Sequence, residues 1–265
     1  MSGDLRSPAT ARHPPSPAFG ALVLVCLGAG AVAWGSDLVE DTTTARFAVF
    51  VLVVSGWVVS LCLHEYAHAR TALWAGDTSV IGRGYLTLDP TRYLDPGLSL
   101  VLPLVFLLLG GIGLPGGAVW LQPGRMRGRR ERVLVSLAGP VANLVIGVVL
   151  ATPFVLHRHL AEEHPAFAGG LAFLVVLQLI AALFNLVPIP GLDGFGAIEP
   201  FCGPAVLRRI EPFRPYAMVV ILVLALQTRV FDVLVFDRAY GLATSLGVPD
   251  GLAGWGWQLF RFWER

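Results

Sequence analysis

Two histidines and a glutamate stand together at His64, Glu65 and His68, directly after an uncharged apolar run at residues 47–63. On a helix, His64 and His68 are four residues apart and lie on the same face, with Glu65 beside them. Two imidazoles can bind a metal ion, and the adjacent carboxylate can accept a proton from water at that ion. The pattern H-E-x-x-H therefore predicts a hydrolytic zinc site. The alternative is a pair of histidines that only pack the helix against its neighbours.

A catalytic zinc site of this kind has three protein ligands and leaves one position for water. We expect Asp193 to be the third ligand. Residues 185–194 read NLVPIPGLDG, and their two prolines and two glycines should end or break a helix just before this carboxylate. Most other acidic residues lie in loops without such a break. Glu65 would accept the proton of the attacking water and pass it to the leaving amine, so the predicted reaction is hydrolysis of a peptide bond.

Two asparagines within apolar runs, Asn143 and Asn185, are candidate donors to the oxyanion of that reaction. Asn143 follows a Gly-Pro pair, which frees backbone carbonyls if the segment is helical. Amide side chains rarely face lipid, so Asn143 should face the protein interior. The alternative for Asn143 is that it joins neighbouring helices by a hydrogen bond.

The composition is that of an integral membrane protein. Of 265 residues, 55% are hydrophobic and only 14% are charged, whereas soluble domains have about 25% charged residues. The mean hydropathy is +0.69. The net charge of +1 gives no reason to expect a nucleic-acid partner. The three cysteines are scattered and fit neither a disulfide framework nor a C-x-x-C metal site, so we interpret them as packing residues.

We predict an all-α polytopic membrane protein with about five to six transmembrane helices and a short membrane-associated strand or re-entrant region. Residues 1–17 should form a disordered cytoplasmic tail, and residues 18–265 a single integral-membrane domain. The predicted spans are residues 18–35, 46–75, 133–154, 170–187 and 216–230.

The charges flanking the first span indicate its direction. Arg6 and Arg12 precede it, whereas residues 37–41 after it carry acidic and no basic side chains. Basic residues in short loops mark the cytoplasmic side. The orientation predicted from these charges puts both His64 and Asp193 near the cytoplasmic side.

Three regions leave alternatives open. Residues 97–114 either span or re-enter, and the arginines at 122–132 favour re-entry. Residues 85–88 alternate like a strand, which could pair with an extended substrate or simply form a connecting hairpin. Residues 231–265 form an interfacial helix or a partial return. The histidine-rich loop at 157–164 is expected to be a solvated loop.

These motifs, in this order, resemble those of the site-2 protease family of intramembrane zinc metalloproteases. The residues at 64–68 resemble its H-E-x-x-H helix, and those at 185–194 its N-x-x-P-x-P-x-L-D-G motif. Residues 138–143 are similar to the A-G-P-x-x-N stretch of small bacterial members. Residues 84–90 also resemble that subgroup, which usually has Asn where Asp89 stands. The match covers about residues 46–196.

The resemblance implies that His64, His68 and Asp193 bind one zinc ion and that Glu65 is the general base. It also implies a core of three membrane helices and substrates that are themselves transmembrane segments. No segment resembles the PDZ or CBS domains of some relatives. We therefore expect a protease of the bacterial cell membrane whose partners are a transmembrane protein or peptide substrate and the lipid bilayer.

The alternative function is a membrane transporter or a metal-binding scaffold that uses the same ligands. Broken helices with polar residues also occur in transporters. Glu65 distinguishes the two, because a carrier needs ligands but no adjacent base. The sequence does not predict the oligomeric state or the natural substrate.

Overall fold

The computed structural model describes residues 13–36, 42–93, 121–216, 229 and 232–263. Within these ranges, four helices are long and apolar enough to cross a membrane. They are α1 (Pro17–Gly35), α2 (Thr42–Ala75), α3 (Arg129–Leu156) and α4 (Pro165–Asn185). The all-α prediction is confirmed for the described residues. The total number of spans stays a prediction, because residues 97–114 and most of 216–230 lie outside them.

Shorter elements follow or connect these four helices. The longer ones are α5 (Asp193–Ile198), α6 (Pro204–Ile210), α7 (Asp237–Ser245) and α8 (Leu252–Phe260). Single α-helical turns occur at Ser79–Gly82, Pro90–Tyr93 and Leu160–Glu163, 3-10 turns at Pro123–Arg125, Glu199–Phe201 and Glu211–Tyr216, and a π-helical turn at Asp232–Phe236.

α4 is the central helix of the bundle. It is apolar all round, and nearly all of its residues are buried, as expected for a helix surrounded by others. Glycines allow its neighbours to approach: a Cβ on Gly56 of α2 would lie 2.9 Å from Leu174 of α4. α1, by contrast, is mostly exposed and therefore lies at the periphery of the bundle.

The bundle has two ends. At the first, which we call the site end, α2 finishes, α3 begins and α4 finishes; the Arg127 amide donates to the Ala75 carbonyl there at 3.0 Å. At the opposite end, α1 finishes and α4 begins. There the ring of His164 stacks on Trp34 at 3.7 Å. This antiparallel arrangement places the ends of α2 and α4 side by side.

The described part of residues 231–265 packs at the opposite end. Trp255 of α8 lies over Gly169 of α4, and Phe260 is fully buried. Arg46, near the start of α2, donates to the Gln258 carbonyl at 3.1 Å. α8 is therefore a short helix packed on the first half of α4, toward the opposite end of the bundle.

The predicted strand at residues 85–88 does not form, and the structure has turns there instead. Tyr85 and Leu86 are both buried, although successive residues of a strand would face opposite sides. The Tyr93 hydroxyl donates to the Tyr85 carbonyl at 2.5 Å, and the Thr87 amide donates to the Gly84 carbonyl. Local hydrogen bonds therefore use the backbone groups that a strand ladder needs.

Part of the predicted disordered tail is also ordered. The Ser16 hydroxyl accepts a hydrogen bond from the Phe19 amide at 3.1 Å and caps α1, with Pro17 in the first helical position. The Ser16 amide donates to the Thr87 carbonyl at 2.7 Å. Residues 1–12 lie outside the described ranges.

Candidate metal centre

α2 presents two imidazole nitrogens toward one point. His64 and His68 are both buried, and their Nε2 atoms are 3.1 Å apart. Their spacing of four residues puts them on one face of the continuous helix, as the sequence predicts.

Asp193 completes the group from another element. Its Oδ2 lies 3.4 Å from His64 Nε2, and its Oδ1 lies 3.3 Å from His68 Nε2. Ligand atoms of a tetrahedral zinc ion with bonds of about 2.0–2.1 Å would be about 3.3 Å apart. The three side chains that the sequence singled out as ligands are therefore at distances that suit a zinc ion.

A tight reversal of the chain brings Asp193 to this position. α4 ends at Asn185, and α5 begins at Asp193 after a loop that contains two prolines. A Cβ on Gly194 would lie 2.1 Å from the Leu186 carbonyl oxygen, and Gly191 has φ +98°. Only glycine allows the backbone to fold back so closely at these two places.

The Nδ1 atoms of both histidines have defined hydrogen-bond partners. His68 Nδ1 donates to the Val135 carbonyl at 2.7 Å, and His64 Nδ1 donates to Asn143 Oδ1 at 2.8 Å. Because a carbonyl oxygen can only accept, Nδ1 of His68 carries the proton. The Nε2 lone pairs then face each other across a short distance, which suits a cation between them.

α3 passes very close to the ligands at Gly139. A Cβ there would lie 2.2 Å from His68 Nε2 and 2.5 Å from His64 Nε2. Pro140 follows inside the helix and leaves the Ser136 carbonyl without its helical donor. The Gly-Pro pair thus lets α3 approach the centre without a side chain that would fill it.

The carboxylate of Asp193 is charged at neutral pH. Burial raises the pKa of this group, but the attraction of the adjacent imidazoles, that of His68 above all, outweighs burial and holds the pKa below its usual value. Oδ2 is buried and has no partner within ordinary hydrogen-bond geometry among the described residues. A charged, incompletely bonded oxygen at this position fits a metal ligand.

Glu65 and the two asparagines occupy different positions around this centre. Glu65 is buried on α2 and follows His64 directly in the chain. Asn143 contacts His64 directly. Asn185 is buried at the end of α4, and within the described residues no hydrogen bond joins it to the three candidate ligands.

The histidines of the 157–164 loop are at the opposite end and do not gather. His157 pairs with Glu163 and His159 with Glu162, each at 3.1 Å and exposed. His164 donates to the Trp34 carbonyl. Among the described residues, the only group of metal-binding side chains is that of His64, His68 and Asp193.

Sequence reasoning missed Gly139 and Val135. The Gly-Pro pair was a visible signal that α3 is unusual at this point. The sequence does not reveal that the missing Cβ faces two histidines from another helix. Val135 contributes its backbone carbonyl. Every residue type has one, so the sequence could not indicate this contact.

Comparison with known proteins supplies relatives over nearly the whole chain. Rip2 of Mycolicibacterium smegmatis, named as a zinc metalloprotease, is 43% identical over 251 residues, which cover 94% of this chain and 95% of that protein. Rip2 of Mycobacterium tuberculosis is 47% identical over 253 residues, with the same coverage. YwhC of Bacillus subtilis, also named as a zinc metalloprotease, is 35% identical over 176 residues, which cover 63% of this chain and 76% of that protein.

No family model matches the chain, and no solved structure matches it. The relatives alone carry the assignment, since their identity and coverage extend far beyond the motifs. The chain belongs to the site-2 protease family of zinc metalloproteases.

Proposed function

We propose that the protein is an intramembrane zinc endopeptidase that hydrolyses peptide bonds within or next to transmembrane helices of its substrates. The observation that carries this proposal is the convergence of His64, His68 and Asp193 beside the buried Glu65. The histidines lie on a helix long and apolar enough to cross a membrane. The names of the relatives support zinc as the metal.

In this mechanism His64, His68 and Asp193 hold the ion. Zinc bound there would supply a Lewis acid that activates water and polarises the substrate carbonyl. Glu65 accepts the proton of the attacking water and delivers it to the leaving amine. Glu65 is buried, so its carboxylate is kept out of bulk solvent.

Hydrogen bonds from α3 orient the ligands. Asn143 and the Val135 carbonyl hold both rings by Nδ1, which leaves each Nε2 as the atom that would bind the ion. Because Asn143 uses its oxygen toward His64, its NH2 group is left to donate to the oxyanion. Asn185 is a second candidate donor from the end of α4.

We further propose that the site end faces the cytoplasm of a bacterial cell. Arg125, Arg127, Arg129 and Arg130 are exposed beside the start of α3 at this end, and basic residues favour the cytoplasmic side. Residues 18–265 would then form one integral-membrane domain, with its catalytic core at about 46–196.

Metal content and peptidase activity, measured together on the purified protein in detergent, test this function. We expect about one zinc per chain in the wild type. Glu65→Gln should keep the zinc but lose at least about a hundredfold in cleavage of a transmembrane peptide, because it removes the proton acceptor alone. Asp193→Ala should lose zinc and activity together.

Glu163→Gln is the matched control, because this exposed glutamate lies at the opposite end. It should leave zinc content and cleavage unchanged. Full cleavage by Glu65→Gln would refute the assignment of the base. A wild-type protein that binds zinc but cleaves no transmembrane peptide would favour the transporter or scaffold function instead.

A further inference from the structure

Residues 201–216, which follow α5 at the site end, expose apolar side chains that the described part of the protein does not bury. Phe201 is 65% exposed, Phe213 69% and Tyr216 63%. α6, within this segment, has no buried residue. A segment that packed only against its own protein would bury one face. Its exposed aromatic side chains therefore require a partner outside the described chain.

The charges around these side chains are basic. Arg208 and Arg209 of α6 are exposed, and neither forms an ion pair with an acidic residue of the described ranges. The start of α3 adds Arg129 and Arg130, which are also exposed. α3 contacts the turn at Glu199–Phe201, so both sets of arginines lie at the same end.

Aromatic side chains interleaved with arginines at the end of a membrane bundle match the boundary between hydrocarbon and headgroups. Aromatic rings favour that boundary, and arginines attract the phosphates of anionic lipids. An acidic peptide would account for the charges but not for the unburied aromatic rings. The combination therefore favours a lipid surface.

The segment is also tied to the metal centre. Arg214 pairs with Glu199 and, at 3.1 Å, with Glu211. Its guanidinium group lies over the ring of Phe195, 5.7 Å from the ring centroid. Phe195 belongs to α5, which begins with Asp193. Arg214 therefore links residues 201–216 to α5, the helix that carries the Asp193 carboxylate.

We propose that residues 201–216 are a membrane-interface anchor that binds the headgroups of anionic phospholipids and thereby holds α5 in place beside the metal centre. Phe201, Phe213 and Tyr216 enter the interface, and Arg208 and Arg209 contact lipid phosphates. This inference goes beyond the proposed peptidase activity and does not depend on it.

The test uses the full chain in lipid nanodiscs, with a spin label at Ala205→Cys after the three native cysteines are replaced by alanine. Ala205 is exposed on α6. The accessibility of the label to oxygen and to a water-soluble nickel chelate reports its depth. In discs that contain phosphatidylglycerol, we expect the label to be accessible to oxygen and shielded from nickel.

The double variant Arg208→Gln/Arg209→Gln should lower the ratio of membrane-bound to released segment about 25-fold, since each basic residue near an anionic surface contributes about fivefold. Arg158→Gln, which removes an exposed arginine from the loop between α3 and α4 at the opposite end, is the control. It should leave the depth of the label unchanged. Circular dichroism of each variant checks that the helices are intact.

Three outcomes would overturn the proposal. The label could be equally exposed to nickel with and without phosphatidylglycerol, which would exclude an anchor. It could be equally shielded in pure phosphatidylcholine and insensitive to the arginine variant, which would exclude a role for anionic headgroups. Dipolar coupling between labels would show that a second copy of the chain covers the segment. None of these measurements uses peptide cleavage, so a result that overturns the anchor does not bear on the proposed peptidase function.

Discussion

Hydrogen-bond partners on α3 determine which ring nitrogen of His64 and His68 carries the proton. The Val135 carbonyl is a pure acceptor, so it requires the proton on Nδ1 of His68 and leaves Nε2 for the ion. Asn143 does the same for His64 through a side-chain oxygen. Residue type predicted that His64, His68 and Asp193 lie close together, and the structure has them so. That they bind zinc stays a prediction. Their orientation depends on α3, which the H-E-x-x-H pattern does not include.

Gly139→Ala tests how closely α3 must approach the centre. The new Cβ would meet His68 Nε2 at 2.2 Å and His64 Nε2 at 2.5 Å, so either the rings or α3 must move. We expect zinc affinity to fall at least tenfold, as it does when the support of a ligand is lost. Competition with a chromophoric zinc chelator measures the affinity.

Gly147→Ala, two turns further along α3, is the control for this substitution. Its Cβ would make ordinary contacts, the nearest at 3.4 Å from Leu179. It should bind zinc like the wild type. Equal zinc affinities for the two variants would show that α3 can withdraw without cost to the centre.

At the scale of elements, apolar length and periodicity predicted each described long helix within a few residues. The prediction at 85–88 was wrong because alternation of residue types does not specify a strand when both neighbouring side chains can be buried in a turn. The prediction at 231–265 left two alternatives, because short helices are defined by what they pack against. α8 exists as an element because Gly169 and Gly256 allow it to lie directly on α4.

Gly256→Ala should release α8 from α4. The added Cβ would lie 1.9 Å from the Gly169 carbonyl oxygen and 3.1 Å from Phe173 Cβ, so the helices must separate. Overpacking of this kind costs about 1–3 kcal/mol. We expect a lower midpoint of thermal unfolding and faster proteolysis after residue 245, with zinc affinity unchanged because α8 lies at the opposite end.

Gly254→Ala provides the comparison within the same helix. Nothing lies within 4 Å of its Cβ position, and alanine favours a helix over glycine by about 0.5–1 kcal/mol. This variant should be as stable as the wild type or slightly more so. A Gly256→Ala protein with unchanged unfolding and proteolysis would mean that α8 contributes little to the stability of the bundle.

At the scale of the whole molecule, the position of the metal centre follows from the directions of three helices. α2 finishes where α3 begins and α4 ends, so ligands near the ends of α2 and α4 meet although they are far apart in sequence. The sequence predicted this meeting from charge asymmetry and helix order alone. It could not give the distances, because these depend on glycine contacts between helices.

The orientation of the bundle in the membrane gives the last prediction. The arginines beside α3 favour a cytoplasmic site end, so Gly124, in the loop before α3, and Glu163, before α4, should lie on opposite sides of the membrane. Both are exposed, and a Cβ on Gly124 meets nothing within 4 Å. Single cysteines at these positions, in a background without the native cysteines, should therefore react differently with a membrane-impermeant maleimide.

In intact cells of a bacterial host whose outer membrane has been made permeable, we expect Glu163→Cys to be labelled and Gly124→Cys to be labelled only after the inner membrane is lysed. The reverse pattern would place the site end outside the cell and contradict the proposed orientation. Labelling of both positions in intact cells would show that α3 does not separate the two sides, and the assignment of α3 as a membrane span would then be wrong. The proposed zinc centre would survive either result, because its candidate ligands meet within the protein whichever way the bundle faces.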